Sequence, residues 1–138
     1  MPSVCIDASY LIGLLVKESF NHQELWANWQ TENYQVAAPR LVLYEVTNVL
    51  HRLTIANQLS EQRCDSLLES VLSLDIAYYS ETELHGQALA IARRFRLTAT
   101  YDAHYLALAE YLDCNLWTGD RKLVNSVNLK WVKYLQSL

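Results

Sequence analysis

Short apolar segments alternate with longer amphipathic segments along the chain, and this alternation constrains the fold more than any other feature. A short continuous apolar run predicts a buried strand, whereas a repeat near 3.6 residues predicts a helix. The predicted strands are residues 3–6, 34–39, 75–80, 114–118 and 129–134. The predicted helices are residues 9–18, 22–31, 41–55, 60–72, 83–95, 100–112 and 121–127. This order indicates right-handed crossovers and an α/β fold with a mainly parallel sheet of about five strands.

Length and composition indicate a single folded domain over residues 1–138. Of the 138 residues, 51% are hydrophobic, and the chain contains only three Gly and two Pro. A domain of this size buries roughly two thirds of the surface that its unfolded chain exposes. No segment has the composition of a linker.

The sequence gives no sign of a membrane association. The longest apolar run, residues 10–16, is far shorter than the roughly 20 residues of a membrane span and lacks the basic residues that begin a signal peptide. Cys5, Cys64 and Cys114 form no Cys-x-x-Cys pair, and the His residues show no metal-ligand spacing. We expect a cytoplasmic protein whose cysteines act as small hydrophobic residues.

The net charge counts against a nucleic-acid-binding surface of the usual kind. The formal charge is −4, whereas most such proteins carry a basic surplus. Acidic residues concentrated in one metal site would resolve the conflict, because a bound divalent ion reverses the local sign of the charge.

Two acids lie where a parallel sheet binds its ligands. Asp7 ends the first predicted strand, and Asp120 follows the fourth. Ligands of such sheets bind beyond the carboxyl ends of the strands. An acid at either position can also simply cap the following helix, and that alternative stays open.

Two further acids lie on helices. Glu45 is at the margin of the apolar stripe of helix 41–55, from which its side chain could also extend into water. Asp102 is in the first turn of helix 100–112, which is apolar on nearly every side, although an acid there can also complement the helix dipole.

We expect these four acids to converge at one edge of the sheet. Clustered carboxylates repel one another unless a cation holds them, and oxygen ligands suit Mg²⁺ or Mn²⁺. Such a site can hydrolyse phosphodiesters without a nucleophilic side chain. Ser9 and Thr118 place a hydroxyl near Asp7 and Asp120, where each could hold a water or a phosphate oxygen or serve only as a local cap.

Several basic residues are candidates for contacts with RNA phosphates, although a solvated helix face explains most of them equally well. They are Arg40, Arg52, Arg121 and Lys122, with a further cluster at Arg93, Arg94 and Arg96.

With these residues in place, the chain resembles the PIN-domain ribonucleases, and among them the VapC-type toxins of type II toxin–antitoxin pairs. Four segments carry the resemblance. They are Ile-Asp-Ala-Ser-Tyr-Leu-Ile around Asp7, Leu-Tyr-Glu-Val-Thr-Asn-Val-Leu around Glu45, Tyr-Asp-Ala-His-Tyr-Leu-Ala-Leu-Ala around Asp102, and Leu-Trp-Thr-Gly-Asp-Arg-Lys-Leu around Asp120.

The resemblance implies a three-layer α/β/α sandwich and a metal-dependent endoribonuclease that inhibits translation. It also implies that the four acids bind Mg²⁺ or Mn²⁺ with support from Ser9 and Thr118, that the protein forms a homodimer, and that an antitoxin protein covers the site and represses the operon. His104 departs from the small or aliphatic residue expected there, and on its helix it should point away from Asp102.

Other protein families with the same alternation of strands and helices fit the sequence less well. Receiver domains need two adjacent acids after the first strand, and haloacid-dehalogenase-like phosphatases need Asp-x-Asp, whereas the chain has Asp7, Ala8 and Ser9. The remaining alternative is a catalytically silent PIN-like module that binds RNA or a protein, and the intact set of four acids counts against it.

Overall fold

The structure, a computed structural model, describes residues 1–137 and contains a strand or helix at every predicted place. The strands are β1 (Ser3–Ile6), β2 (Gln35–Pro39), β3 (Ala77–Tyr79), β4 (Leu116–Thr118) and β5 (Val132–Tyr134). The helices are α1 (Ala8–Leu15), α2 (Phe20–Thr31), α3 (Leu41–Ile55), α4 (Glu61–Ser73), α5 (Glu83–Arg94), α6 (Tyr101–Leu112) and α7 (Arg121–Val127).

The predicted boundaries are wrong mainly where the backbone turns left-handed. Helix α1 ends at Leu15 rather than near Glu18, because Glu18 has a φ of 50° and the amide of Ser19 donates to the carbonyl of Gly13. Strand β5 begins at Val132 rather than at 129, because the left-handed Asn128 is followed by a turn in which the amide of Val132 donates to the carbonyl of Leu129 at 3.1 Å. A left-handed residue ends a helix or delays a strand at small cost, yet it leaves little trace in hydrophobic periodicity.

The five strands form one parallel sheet in the order β3-β2-β1-β4-β5. Helices α1 to α4 pack on one another, and α5 packs on α6, which also contacts β1 and β2. This architecture confirms the predicted α/β/α class. Because β1 is central and pairs with β4, Ile6 lies opposite Trp117, and the residues that follow these two strands are neighbours.

Helix α6 is the most deeply buried helix of the fold. Its residues Ala103 and Tyr105 to Ala109 are all nearly inaccessible to solvent. A helix embedded in this way carries its first-turn acid, Asp102, toward the interior instead of leaving it on an open surface. Within residues 1–137, no helix combines the length and the apolar character that crossing a bilayer requires.

The corner between α1 and α2 depends on a glycine. His22 is completely buried, and a Cβ atom added to Gly13 would lie 2.3 Å from its Nε2 atom. The hydroxyl of Tyr10 donates to the carbonyl of His22, and Ser19 contacts its Nδ1 atom at 2.9 Å. The ring therefore cannot move aside easily to admit a larger residue.

Substitution of Gly13 by Ala should destabilise the protein, because the added methyl group would overlap sterically with the His22 ring. We expect the free energy of unfolding to fall by roughly 1–3 kcal/mol, as for other overpacked cores. Gly86 in α5 is the matched control, since a Cβ there meets nothing within 4 Å. Gly86→Ala should raise the free energy of unfolding by about 0.5–1 kcal/mol. Urea unfolding of both variants measures the contrast, and equal effects would contradict this account of the corner.

Candidate active site

The carboxylate of Asp7 is buried at the end of the central strand and is held by three donors. Thr118 Oγ1 donates to Asp7 Oδ2, and Ser9 Oγ donates to Asp7 Oδ1 at 2.6 Å. The amide of Tyr10 also donates to Oδ1, at 3.0 Å. The side chain is 6% exposed, so its position is fixed by protein groups and not by solvent.

Helix capping, the alternative left open for Asp7 and Asp120, is present at both positions. Asp7 caps α1 through the amide of Tyr10, and Asp120 caps α7 through the amide of Leu123 at 3.2 Å. Each of these capping bonds uses the Oδ1 atom. Capping therefore fixes the orientation of the two carboxylates and does not compete with their convergence on a shared site.

Glu45, Asp102 and Asp120 line one cleft of about 360 Å³ at the same edge of the sheet. They come from α3, from the first turn of α6 and from the connection between β4 and α7. Arg96 and Lys122 are the basic members of the described lining. The structure therefore brings together three of the predicted acids and two of the predicted phosphate contacts, Lys122 and Arg96.

Asp7 interacts electrostatically with this group of acids, as the pKa shifts of Asp7 and Asp102 indicate. The pKa of Asp7 is raised to about 6, because burial and, to a smaller extent, the charge of Asp102 outweigh the hydrogen bonds from Ser9, Thr118 and Tyr10, which lower it. Burial also raises the pKa of Asp102, as do the charges of Asp120 and Glu45. The four carboxylates thus form one cluster in which each member interacts with at least one other.

Tyr105 is a site residue that the sequence did not reveal. Its hydroxyl donates to Glu45 Oε1, and the residue is 1% exposed. Burial and the interaction with Glu45 together raise the pKa of Tyr105 far above its ordinary value. A phenol within an otherwise apolar helix does signal that a polar partner is nearby, but the partner lies 60 positions away. This bond anchors Glu45 at the cleft instead of letting it extend freely into water.

Ser9 and Thr118 connect the two strand ends that carry Asp7 and Asp120. Ser9 Oγ accepts a hydrogen bond from the amide of Gly119 at 2.7 Å, and Thr118 Oγ1 accepts one from the amide of Asp120 at 3.0 Å. Both hydroxyls also donate to Asp7. Their observed role is to orient backbone and carboxylate groups around the cluster.

The other predicted basic contacts are more dispersed. The Arg121 guanidinium lies 4.4 Å from the centre of the Tyr134 ring. Arg40 and Arg52 are exposed and lie outside the described cleft lining. His104 contacts His85 at 2.9 Å and the carbonyl of Thr100 at 2.7 Å, so both nitrogens of its ring have hydrogen-bond partners.

The donor set fits a divalent cation bound partly through water. Among residues 1–137, no three Asp, Glu, His or Cys side chains form a ready-made metal cage. Mg²⁺ seldom uses such a cage, because it keeps several waters and binds through one or two carboxylates together with substrate phosphates. The charges of mutually interacting carboxylates such as Asp7 and Asp102, whose pKa values are raised, are what such an ion would stabilise.

Known proteins resemble the chain in sequence and in fold. The family model of the PIN domain matches residues 5–134. Ribonuclease VapC3 of Pyrobaculum aerophilum is 32% identical over 120 residues, which are 86% of this chain and 89% of that protein.

Solved structures share the fold at lower sequence identity. PAE2754 of Pyrobaculum aerophilum superposes with a TM-score of 0.72 at 22% identity, over 98% of this chain and 89% of the other. VapBC2 of Rickettsia felis, bound to a DNA fragment from the promoter, gives 0.70 at 15% identity, over 97% and 98%. VapC20 of Mycobacterium tuberculosis, a toxin that cleaves the sarcin–ricin loop, gives 0.67 at 17% identity, over 94% and 97%.

Substitution of Asp7 by Asn should change how stability depends on pH. The folded protein keeps a proton on Asp7 up to a pH of about 6, whereas the ordinary pKa of an aspartate side chain is 3.8, so the contribution of Asp7 to stability is lost as the pH rises through this interval. The free energy of unfolding of Asp7→Asn relative to wild type should therefore increase by roughly 2–3 kcal/mol between about pH 4 and pH 7.

Urea unfolding in the presence of a chelator measures this difference at each pH. Comparison with wild type cancels other titrating groups, such as His22, whose pKa is lowered by burial. Asp65→Asn, at an exposed position of α4, is the control for the loss of a carboxylate outside the cluster. A pH-independent difference for Asp7→Asn would show that Asp7 is not destabilised by its surroundings.

Proposed function

Since the chain belongs to the PIN-domain family, and within it to the VapC-type ribonucleases, we propose that it is a metal-dependent endoribonuclease that hydrolyses RNA phosphodiester bonds. The observation that carries the proposal is the cluster of four carboxylates from four separate elements at one sheet edge. Mutual repulsion between carboxylates does not stabilise a fold, whereas a nuclease uses such a cluster of carboxylates to hold cations.

Asp7, Glu45, Asp102 and Asp120 would hold Mg²⁺ or Mn²⁺. When bound, the ion supplies an activated water and neutralises the charge that develops on the phosphorus and the leaving oxygen. Ser9 and Thr118 keep Asp7 in one orientation through hydrogen bonds, and the buried hydroxyl of Tyr105 does the same for Glu45.

The substrate would lie along the cleft with its phosphates near basic side chains. Lys122 and Arg96 line the cleft and are the nearest candidates for contact with the scissile and adjacent phosphates. Arg40, Arg52 and Arg121 would contact phosphates farther along the strand. These side chains offset the repulsion between an acidic site and a polyanion.

We also propose that the nuclease is the toxin of a toxin–antitoxin pair and that it inhibits translation. The similarity to ribonuclease VapC3 supports this role, as do the likenesses in fold to VapBC2 and to VapC20. The proposal includes an antitoxin partner, a homodimer, a cytoplasmic location and a single nuclease domain over residues 1–138. A catalytically silent module that binds RNA or a protein is the alternative, and the cleavage assay distinguishes the two.

Purified protein should cleave structured RNA when Mg²⁺ or Mn²⁺ is present and should lose this activity in a chelator. Each of Asp7→Asn, Glu45→Gln, Asp102→Asn and Asp120→Asn should reduce the cleavage rate by roughly a hundredfold or more, because each removes a ligand of the cation that stabilises the transition state. Single-turnover cleavage of a labelled RNA, resolved on a gel, gives the rates.

Glu110→Gln is the matched control for this assay. Glu110 lies on the same helix as Asp102 but at an exposed position, so the change removes a similar charge outside the cleft and should leave the rate unchanged. Wild-type rates in two of the four site variants would exclude the cluster as the active site. Metal-independent binding of RNA without cleavage would favour the silent module.

Expression of the wild-type chain in a bacterial host should arrest growth and translation, because a toxin of this class acts on cellular RNA. Asp102→Asn, expressed to the same soluble level, should leave growth unaffected, and Glu110→Gln should remain toxic. Growth curves and incorporation of labelled amino acids provide the measurement. If a wild-type protein that cleaves RNA in vitro left both unchanged, the chain would be a nuclease without a toxin role.

A further inference from the structure

Two of the three cysteines face each other across the middle of the fold. Cys5 lies in β1 and Cys114 in the connection between α6 and β4, and their sulfur atoms are 3.6 Å apart. The amide of Cys5 donates to the carbonyl of Asn115 at 2.8 Å, which fixes the two segments side by side. A disulfide needs an S–S separation of about 2.05 Å, so a closure of about 1.5 Å would join them.

The two sulfurs differ in their access to solvent. Cys5 is 0% exposed. Cys114 is partly exposed and lines a cavity of about 380 Å³ together with Ala109, Glu110, Asp113, Asn115 and Trp131. A small reagent can therefore reach Cys114 directly but can reach Cys5 only through Cys114.

Movement of the segment that contains Cys114 would bring the two sulfur atoms within bonding distance. Cys5 is held in the central strand, which pairs with β2 on one side and β4 on the other. Cys114 follows Asp113, whose left-handed φ of 51° ends α6, and it is flanked by two exposed residues. The segment around Cys114 is thus freer to shift than β1.

We propose that Cys5 and Cys114 form a dithiol that hydroperoxides oxidise to a disulfide, with Cys114 as the residue oxidised first and Cys5 as the resolving residue. This modification site is distinct from the carboxylate cluster. The hydrogen bond with Cys5 lowers the pKa of Cys114, which favours the reactive thiolate at this position.

The reaction balances as two steps with one hydroperoxide as the oxidant. The Cys114 thiolate attacks the terminal peroxide oxygen, so that an S–O bond forms, the O–O bond breaks, and the departing oxygen leaves as water or an alcohol after taking up a proton. Cys5 then attacks the sulfur of the resulting sulfenic acid. The S–S bond forms as the S–O bond breaks, and the thiol proton of Cys5 leaves with the hydroxyl group as water.

The disulfide would link the centre of the sheet to the segment that leads into β4. The two residues are 109 positions apart, and a cross-link over so long a loop strongly restricts the unfolded chain. We expect oxidation to raise the melting temperature by roughly 10 °C, with some of the gain offset by strain at the new bond. Dithiothreitol should reverse the change.

Treatment of the reduced, folded full-length protein with hydrogen peroxide tests the proposal. Digestion without reduction, followed by mass spectrometry, should give a peptide that joins Cys5 to Cys114 with the loss of two hydrogen atoms. Cys64, which lies on α4, should remain available to a thiol-alkylating reagent. The result does not depend on nuclease activity, so it tests the disulfide proposal independently of the proposed function.

Variants assign the two roles. Cys5→Ala should leave a sulfenic acid at Cys114 that dimedone traps, whereas Cys114→Ala should leave Cys5 unmodified at the same peroxide dose. Cys64→Ala is the control and should form the disulfide at the wild-type rate. Oxidation of Cys64 before Cys114, accumulation of sulfenic acid at Cys114 in the wild type without the cross-link, or a lower melting temperature of the cross-linked protein would each overturn the proposal.

Discussion

The burial of a carboxylate at the end of the central strand is the constraint on which the rest of the site depends. Asp7 follows β1, which is covered on both faces and flanked on both edges. A charge in this position loses its water, and the three donors from Ser9, Tyr10 and Thr118 only partly compensate for the loss. The remaining deficit raises the pKa of Asp7. Two of these donors, Ser9 and Thr118, also connect the end of β1 to the end of β4, so the stability of the sheet edge and the state of the site are coupled.

Several residues perform a structural and a site role at once, and this sharing explains how a small domain accommodates a polar centre. Asp7 and Asp120 begin helices while they face the cluster, and Thr118 ends β4 while it orients Asp7. Tyr105 fills the core with its ring and holds Glu45 with its hydroxyl. Capping a helix and binding a ligand are therefore compatible roles for an acid at the carboxyl edge of a parallel sheet, because the capping bond fixes the orientation that a ligand needs.

The sequence predicted those features that local chemistry determines. Helices α3 and α7 were predicted to the residue, since Pro39 ends the strand before one and Asp120 caps the other. The convergence of Asp7 and Asp120 followed from the strand-end rule, and that of Glu45 and Asp102 from the faces of the helices that carry them. By contrast, the bond of Tyr105 to Glu45 and the contact of Cys5 with Cys114 join residues far apart in the chain. Such pairs depend on strand register and helix packing, which hydrophobic periodicity does not specify.

The distribution of charge resolves the conflict between an acidic protein and an RNA substrate. The chain has 15 acidic residues and 11 Lys and Arg. Four of the acids belong to the cluster, so the acids elsewhere equal the basic residues in number, and the cluster alone accounts for the formal charge of −4. The remaining surface is therefore neutral overall and offers no general repulsion to a polyanion. Cations bound at the cluster would remove the one concentrated negative region, and Lys122 and Arg96 at its margin would then determine the local sign of the potential. For this fold, net charge is a poor guide to nucleic-acid binding, because the acids that produce the charge are those that would hold the cations.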